Sequence, residues 1–434
     1  MQLVNWSELY RDEWVQLKEE GKDIRELERA MSEDRENRTD EERCLRLYAE
    51  IGRLPTRADY PYEEPSALEQ IRRESDWNVP RRAFAGNDRQ LYDKIYGGWL
   101  ARAAGCLLGK PVEGWPADVI RDFLLDNGAY PLNNYFSNRF RMDKVPESLR
   151  YRYEPYPIEY CEAMPRDDDL DYTILALRML ETYGRDFTTE HVARMWLTVL
   201  PPLATYTAER AAYLNLCAGV GMADVPVFRN PYREWIGAQI RADFYGYVNP
   251  GDPAAAAEMA YRDAALSHVK NGIYGAMFVA AMNAAAFTEQ SPENVVLAGM
   301  AHIPKRSRLH EAIAWTVEQW RQQSDWEQTG RRLLEKFGHY HWVHTINNAA
   351  VVAMALLYGE GDLERTISIA VAMGWDTDCN GATAGSVIGV MNGASGLPDK
   401  WIRPLHDRLE SYISGEGYPR ISQLALRTRN LIAM

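Results

Sequence analysis

With 434 residues, 46% of them hydrophobic and 26% charged, the chain has the make-up of a soluble globular protein with room for a large core. A formal charge of −13 argues against a nucleic-acid backbone or an anionic membrane as the main partner. Five scattered cysteines (Cys44, Cys106, Cys161, Cys217, Cys379) form no zinc pattern, and with no signal-peptide pattern in residues 1–7 and no bilayer-length apolar run, the expected compartment is the cytoplasm.

Taken in order, about the first fifty residues mix dense charge with apolar positions at helical spacing, such as Leu9, Trp14, Leu17 and Leu27. Pro55, Pro61 and Pro65 then interrupt the pattern, predicting a linker with one short helix. Residues 1–85 are therefore expected to be a helical extension, and residues 86–434 the main domain. From Leu91 an apolar helix carries Gly97, Gly98, Gly105 and Gly109 and ends in Lys110-Pro111-Val112-Glu113. It is not a phosphate-binding loop, because the spacing is one residue short and Pro111 stands where Ser or Thr should hold magnesium. Residues 114–165 have little periodicity and predict a long irregular insertion.

Asp167, Asp168, Asp169 and Asp171 then lead into a buried helix ending at Gly184. So many acids exceed what capping needs, and partial burial would call for a cation or a basic partner. Further helices are expected over 190–200, 204–218, 230–243, 254–266, 273–287, 309–322, 325–337 and 347–358. His339, His341 and His344 alternate, but no further His or Cys cluster completes a transition-metal site, so they predict a loop. After an apolar run stopping at Gly374 come Asp376 and Asp378, then a helix of small residues, Gly381-Ala-Thr-Ala-Gly385-Ser-Val-Ile-Gly389. Two carboxylates on a turn entering a helix can share one hard cation, although Asp is also an ordinary helix cap. An EF-hand is excluded, since its twelfth position is Val387. Residues 401–413 predict the last helix. There is no G-x-G-x-x-G and no run of strands, so the class is all-α.

In combination, the motifs Gly109-Lys-Pro-Val-Glu113, Asp167-Asp-Asp169, Gly237-Ala-Gln-Ile-Arg241, Ser267-His268 and Gly374-Trp-Asp376-Thr-Asp378 resemble the ADP-ribosylglycohydrolase family, over about residues 91–410. The resemblance implies a compact multi-helix bundle that binds one or two Mg²⁺ or Mn²⁺ ions and hydrolyses a ribosyl or ADP-ribosyl substrate. It implies metal ligation by Asp167, Asp168, Asp169, Asp376, Asp378 and Cys379, and catalysis by Glu113, Asp168 and Asp378. Arg241, His268 and Asn271 are the expected substrate contacts. Asp167 stands where the family commonly has Thr or Ser, Leu170 where Thr is frequent, and Cys379 where Thr is common, which removes a hard oxygen donor. Such departures suit a divergent branch. Two alternatives follow: hydrolysis of another ribosyl or nucleoside-like small molecule, or a binding protein that keeps the fold without turnover.

Overall fold

A computed structural model describes residues 5–32, 39–77 and 81–432. Among the described residues there are 21 α-helices and no strand, with pairing confined to isolated bridges. The N-terminal region contains α1 (Trp6–Glu19), α2 (Arg25–Ser32), α3 (Asp40–Ile51) and α4 (Leu68–Glu74), and the glycine-bearing α5 (Asp88–Gly109) follows. Next come α6 (Ala117–Asp126), α7 (Glu147–Tyr153), α8 (Asp168–Tyr183), α9 (Thr189–Val199), α10 (Thr207–Cys217), α11 (Asp243–Tyr247) and α12 (Pro253–Ala264). The chain continues through α13 (Lys270–Ala285), α14 (Pro292–Met300), α15 (Arg308–Gln322), α16 (Trp326–Phe337), α17 (Thr345–Gly359) and α18 (Leu363–Ala372). It closes with α19 (Thr377–Asn392), α20 (Asp399–Ile402) and α21 (Ile421–Ile432).

In α5, α13, α17 and α19 a long stretch has no solvent face. Residues 97–109 of α5, 271–285 of α13, 345–359 of α17 and 377–390 of α19 are all buried. A helix apolar on every side belongs at the centre of a large core. The tightest pair is α5 with α19, and small residues at four-residue spacing explain it. A Cβ on Gly97 would overlap the Gly389 carbonyl, one on Gly105 the Gly381 carbonyl, and one on Gly109 the Thr377 carbonyl. Ala101 faces Gly385 between them. The order shows that the helices run antiparallel, so the end of α5 meets the start of α19. Glu113 is thereby brought to the turn that carries Asp376 and Asp378.

Several elements differ from the sequence expectation. The insertion at 114–165 holds two real helices, α6 and α7, around an aromatic cluster in which Trp115, Phe123, Phe136, Phe140 and Tyr153 contact one another. Residues 230–243 form turns and a 3-10 segment, Ile236–Arg241, in place of a helix. The helix expected over 401–413 ends at Ile402. Pro404 has no N–H to continue it, and His406 and Asp407 adopt φ of 50° and 54°. The last helix is α21, where Trp99 of α5 donates its indole N–H to Thr428 Oγ1 at 3.1 Å.

The N-terminal helices have a small core of their own, with Leu17, Ile24, Leu27 and Leu47 in contact. They are joined to the rest by buried charges. Arg233 donates to Glu13 and Glu20, each at 2.7 Å, and Arg308 donates to Glu64 at 2.8 Å and Glu234 at 2.7 Å. Removing one partner of such a pair strands the other in the core. Arg233→Met is expected to lower stability by roughly 3–5 kcal/mol. Limited proteolysis should then cut first within residues 5–77; an unchanged melting temperature would refute the role.

Candidate metal centre and cavity

Asp167 caps α8, its Oδ1 accepting from the Asp169 N–H at 2.9 Å, so the acidic run sits at a helix N-terminus. Arg102 of α5 holds that end in place: Nη2 donates to Asp169 Oδ1 at 2.9 Å, Nε to Thr173 Oγ1 at 2.9 Å and Nη1 to Asp243 Oδ2 at 2.9 Å. Lys110, one turn from Glu113, donates its Nζ to Asp167 Oδ2. The second acidic motif arrives through a strained turn. Gly374 and Trp375 take φ of 70° and 61°, and the Trp375 carbonyl accepts from Gly114 N–H at 2.9 Å. Thr377 Oγ1 donates to the Gly109 carbonyl at 2.8 Å, tying the start of α19 to the end of α5.

The two motifs meet. Ligand atoms of Cys106, Asp167, Asp169 and Asp378 lie within 4.8 Å of one another, as do those of Asp376, Asp378 and Cys379. Asp376 is the N-cap of α19 but its side chain makes no capping hydrogen bond, and Asp378 Oδ1 is buried without a partner. Capping alone therefore does not account for these acids.

Crowding shows in the acidities. Burial, then the charge of Asp167, pushes the Asp168 carboxyl up to about 8. Burial, then Asp378, pushes Glu113 up to about 8, although Arg152 opposes the shift. Asp376 and Asp378 are raised too, by burial first and then by Asp378 and Asp167 respectively. Asp167 goes the other way: burial would raise it, but Lys110 outweighs that and holds it below the usual carboxylate range.

A cavity of about 670 Å³ opens over this centre, lined by Lys110, Glu113, Asp167, Asp168, Asp376 and Asp378. Aromatic side chains complete the lining: Tyr151, Tyr156, Trp235, His341 and Trp342, with Tyr206 and Tyr412. Trp235 and His341 are stacked, ring centroids 4.1 Å apart.

The family model described as ADP-ribosylglycohydrolase matches residues 87–432. The chain belongs to the ADP-ribosylglycohydrolase family. Among solved structures, a chain titled "ADP-ribosylglycohydrolase-related protein complex" is similar at 19% identity, with a TM-score of 0.48; the match covers 80% of this chain and 99% of that one. No curated protein matches. The match begins just after the N-terminal helices α1–α4.

The buried Asp and Cys cluster could hold a metal ion. Asp376 and Asp378 offer hard carboxylate oxygens, one without any protein partner, beside the soft thiol of Cys379. Protons compete for the same oxygens. Because burial and neighbouring carboxylates raise the pKa values of Asp376 and Asp378, ion affinity is expected to rise with pH. The slope should be roughly tenfold per pH unit for each proton displaced. Mn²⁺ titrations by calorimetry at pH 6, 7 and 8 measure it, and a flat response would contradict the assignment.

The three expected substrate contacts are not among the residues lining the cavity. Arg241 is engaged behind the wall by Glu209 and Asp263, and its Nη2 donates to Ser267 Oγ at 3.0 Å. His268 is buried against Ser267 Oγ at 2.8 Å, and burial, then Arg241, holds its pKa well below the usual histidine value. Asn271 donates to Glu64 and Glu234 at 2.8 Å and accepts from Leu309 N–H at 3.0 Å, within the joint to the N-terminal helices. Arg241 does reach the cavity indirectly, by holding Glu209, which lines it. Sequence reasoning missed Arg102, Lys110, Arg152 and the aromatic lining. Lys110 was within reach, since it lies inside the motif Gly109-Lys-Pro-Val-Glu113. Arg152 carried no signal, since it comes from a non-periodic stretch, and Trp235 was hidden in a segment expected to be helical that forms turns and a 3-10 segment instead.

The alternating histidines are a loop, as expected. His344 caps α17, its Nδ1 accepting from Ile346 N–H at 3.2 Å. Asn348 Nδ2 holds the carbonyls of Trp342 and His344 at 2.8 Å and its Oδ1 accepts from Asn380 of α19 at 2.7 Å. The aromatic wall is thereby tied to the acidic motif. Among the described residues no helix is long and apolar enough to cross a membrane.

Proposed function

We propose that this chain is a metal-dependent hydrolase that cleaves the glycosidic bond of an ADP-ribosylated or ADP-ribose-like substrate. The observation that carries the reading is the buried, unpartnered Oδ1 of Asp378, in one cavity of ligand size that Asp376, Asp168 and Glu113 also line. Asp376 and Asp378, with Asp168, would hold Mg²⁺ or Mn²⁺. When bound, such an ion supplies orientation of ribose hydroxyls and a lowered pKa for water. The chain's own part is to exclude bulk water with the aromatic lining and to move a proton. Glu113 suits that step, since burial and Asp378 hold its carboxyl at about 8, close to working pH. Arg152 pairs with Glu113 and orients it.

A second reading, hydrolysis of a ribosyl or nucleoside-like compound without a diphosphate, has one observation in its favour. Each Lys or Arg lining the cavity is already in an ion pair: Lys110 with Asp167, Arg152 with Glu113, Arg166 with Asp171. None stands ready for two phosphates. We take residues 1–85 as an extension that braces the catalytic domain, and the unpaired thiols as suited to a reducing, cytoplasmic setting.

The deciding experiment is chromatographic detection of released ribosyl product. ADP-ribosylated arginine, serine and nucleic acid, O-acetyl-ADP-ribose and plain nucleosides would be incubated with Mg²⁺ or Mn²⁺ against chelator. Chelator-sensitive release from an ADP-ribosyl compound supports the first reading, and release from nucleosides alone supports the second. Ion binding without any release would make this a binding protein that keeps the fold.

A further inference from the structure

The carboxylates of the centre differ in how they are neutralised. Asp169 shares Arg102 with Asp243, and Asp167 is matched by Lys110, whose ammonium also lies 4.8 Å from the centre of the Tyr156 ring. Lys110 is only 8% exposed, so its charge is not dissipated in water. Glu113 is matched by Arg152. The remaining carboxylates are Asp168, Asp376 and Asp378, the last with its buried Oδ1 unpartnered.

Of the two groups of ligand atoms, the first (Cys106, Asp167, Asp169, Asp378) therefore has two of its three carboxylates already held by protein cations. A divalent ion placed there would face the ammonium at short range and would have to displace it. The second group (Asp376, Asp378, Cys379) has no such cation, and one divalent ion nearly balances what is left.

We propose that the Lys110 ammonium permanently fills one of two cation positions, so that the chain binds a single divalent ion, at Asp376 and Asp378. Lys110 is then a positioning residue. It fixes Asp167 at the head of α8, in the role a second ion would otherwise play. The inference rests on the metal reading above.

The test is the stoichiometry of Mn²⁺ binding to the full chain, by equilibrium dialysis and by paramagnetic resonance, with no turnover needed. The expected result is one ion per chain for wild type and for Lys110→Arg, without the spin-coupled signal of a paired site, and two ions for Lys110→Met. Two ions in wild type would overturn the proposal while leaving the metal-dependent reading intact. One ion in a folded Lys110→Met protein would also overturn it. No ion in wild type would overturn both. If Lys110→Met fails to fold, the wild-type and Lys110→Arg counts decide alone.

Discussion

Asp378→Asn is expected to cut turnover by at least about 10³-fold and to abolish ion binding, while the ion-free protein becomes more heat-stable than wild type. The two effects come from one cause. Asp378 lies in both groups of ligand atoms, and its pKa is raised by burial and then by Asp167. An acid whose folded pKa is raised stabilises the fold fully only below its unfolded pKa, and that contribution is lost as pH rises toward the folded value. Asparagine keeps the shape of the protonated acid and removes this loss. The gain in melting temperature should therefore be small near pH 4 and larger near pH 8, read by calorimetry in chelator. A lower melting temperature at pH 8, or retained turnover, would contradict the assignment of Asp378. Asp376→Asn should behave similarly, since its pKa is raised by burial and by Asp378 itself.

Gly105→Val should be the most damaging single change outside the cavity, costing more than about 4 kcal/mol and yielding little soluble protein. The new Cβ would land on the Gly381 carbonyl, and backbone cannot step aside as a side-chain tip can. Separating α5 from α19 there would also part Glu113 from Asp376 and Asp378. Gly52→Ala is the control: nothing lies within 4 Å of its Cβ position and its φ is −61°. It should stay within about 0.5 kcal/mol of wild type by denaturant unfolding. Equal behaviour of the two variants would mean that the α5–α19 contact does not depend on glycine.

The acidic clusters were legible because they come in short, dense groups at helix starts. Asp167-Asp168-Asp169 and Asp376-Thr-Asp378 exceed what capping uses, and the structure confirms that the Asp376 side chain caps nothing. The all-α class and the main helices could be read from apolar spacing and from Gly184 and Gly374 as stops. The failures have physical reasons. Residues 401–413 have helical spacing, but Pro404 and the two left-handed residues after it break the run. The stretch 114–165 looked irregular because its helices α6 and α7 bury aromatic residues drawn from turns as well as from helix faces. Motif position does not say which way a buried side chain faces, and Arg241, His268 and Asn271 do not line the cavity.

The chain's sequence by itself determined the class, the family and the carboxylates, because each of these is local: a few neighbouring residues carry the whole signal. Only the tertiary structure decided which cations neutralise which acids. Lys110 with Asp167, Arg102 with Asp169 and Arg152 with Glu113 are pairs separated by many residues in the chain, and electrostatic partnership depends on distance in space. The antiparallel fit of α5 on α19 sets those distances. It follows from small residues whose consequence appears only when two helices touch.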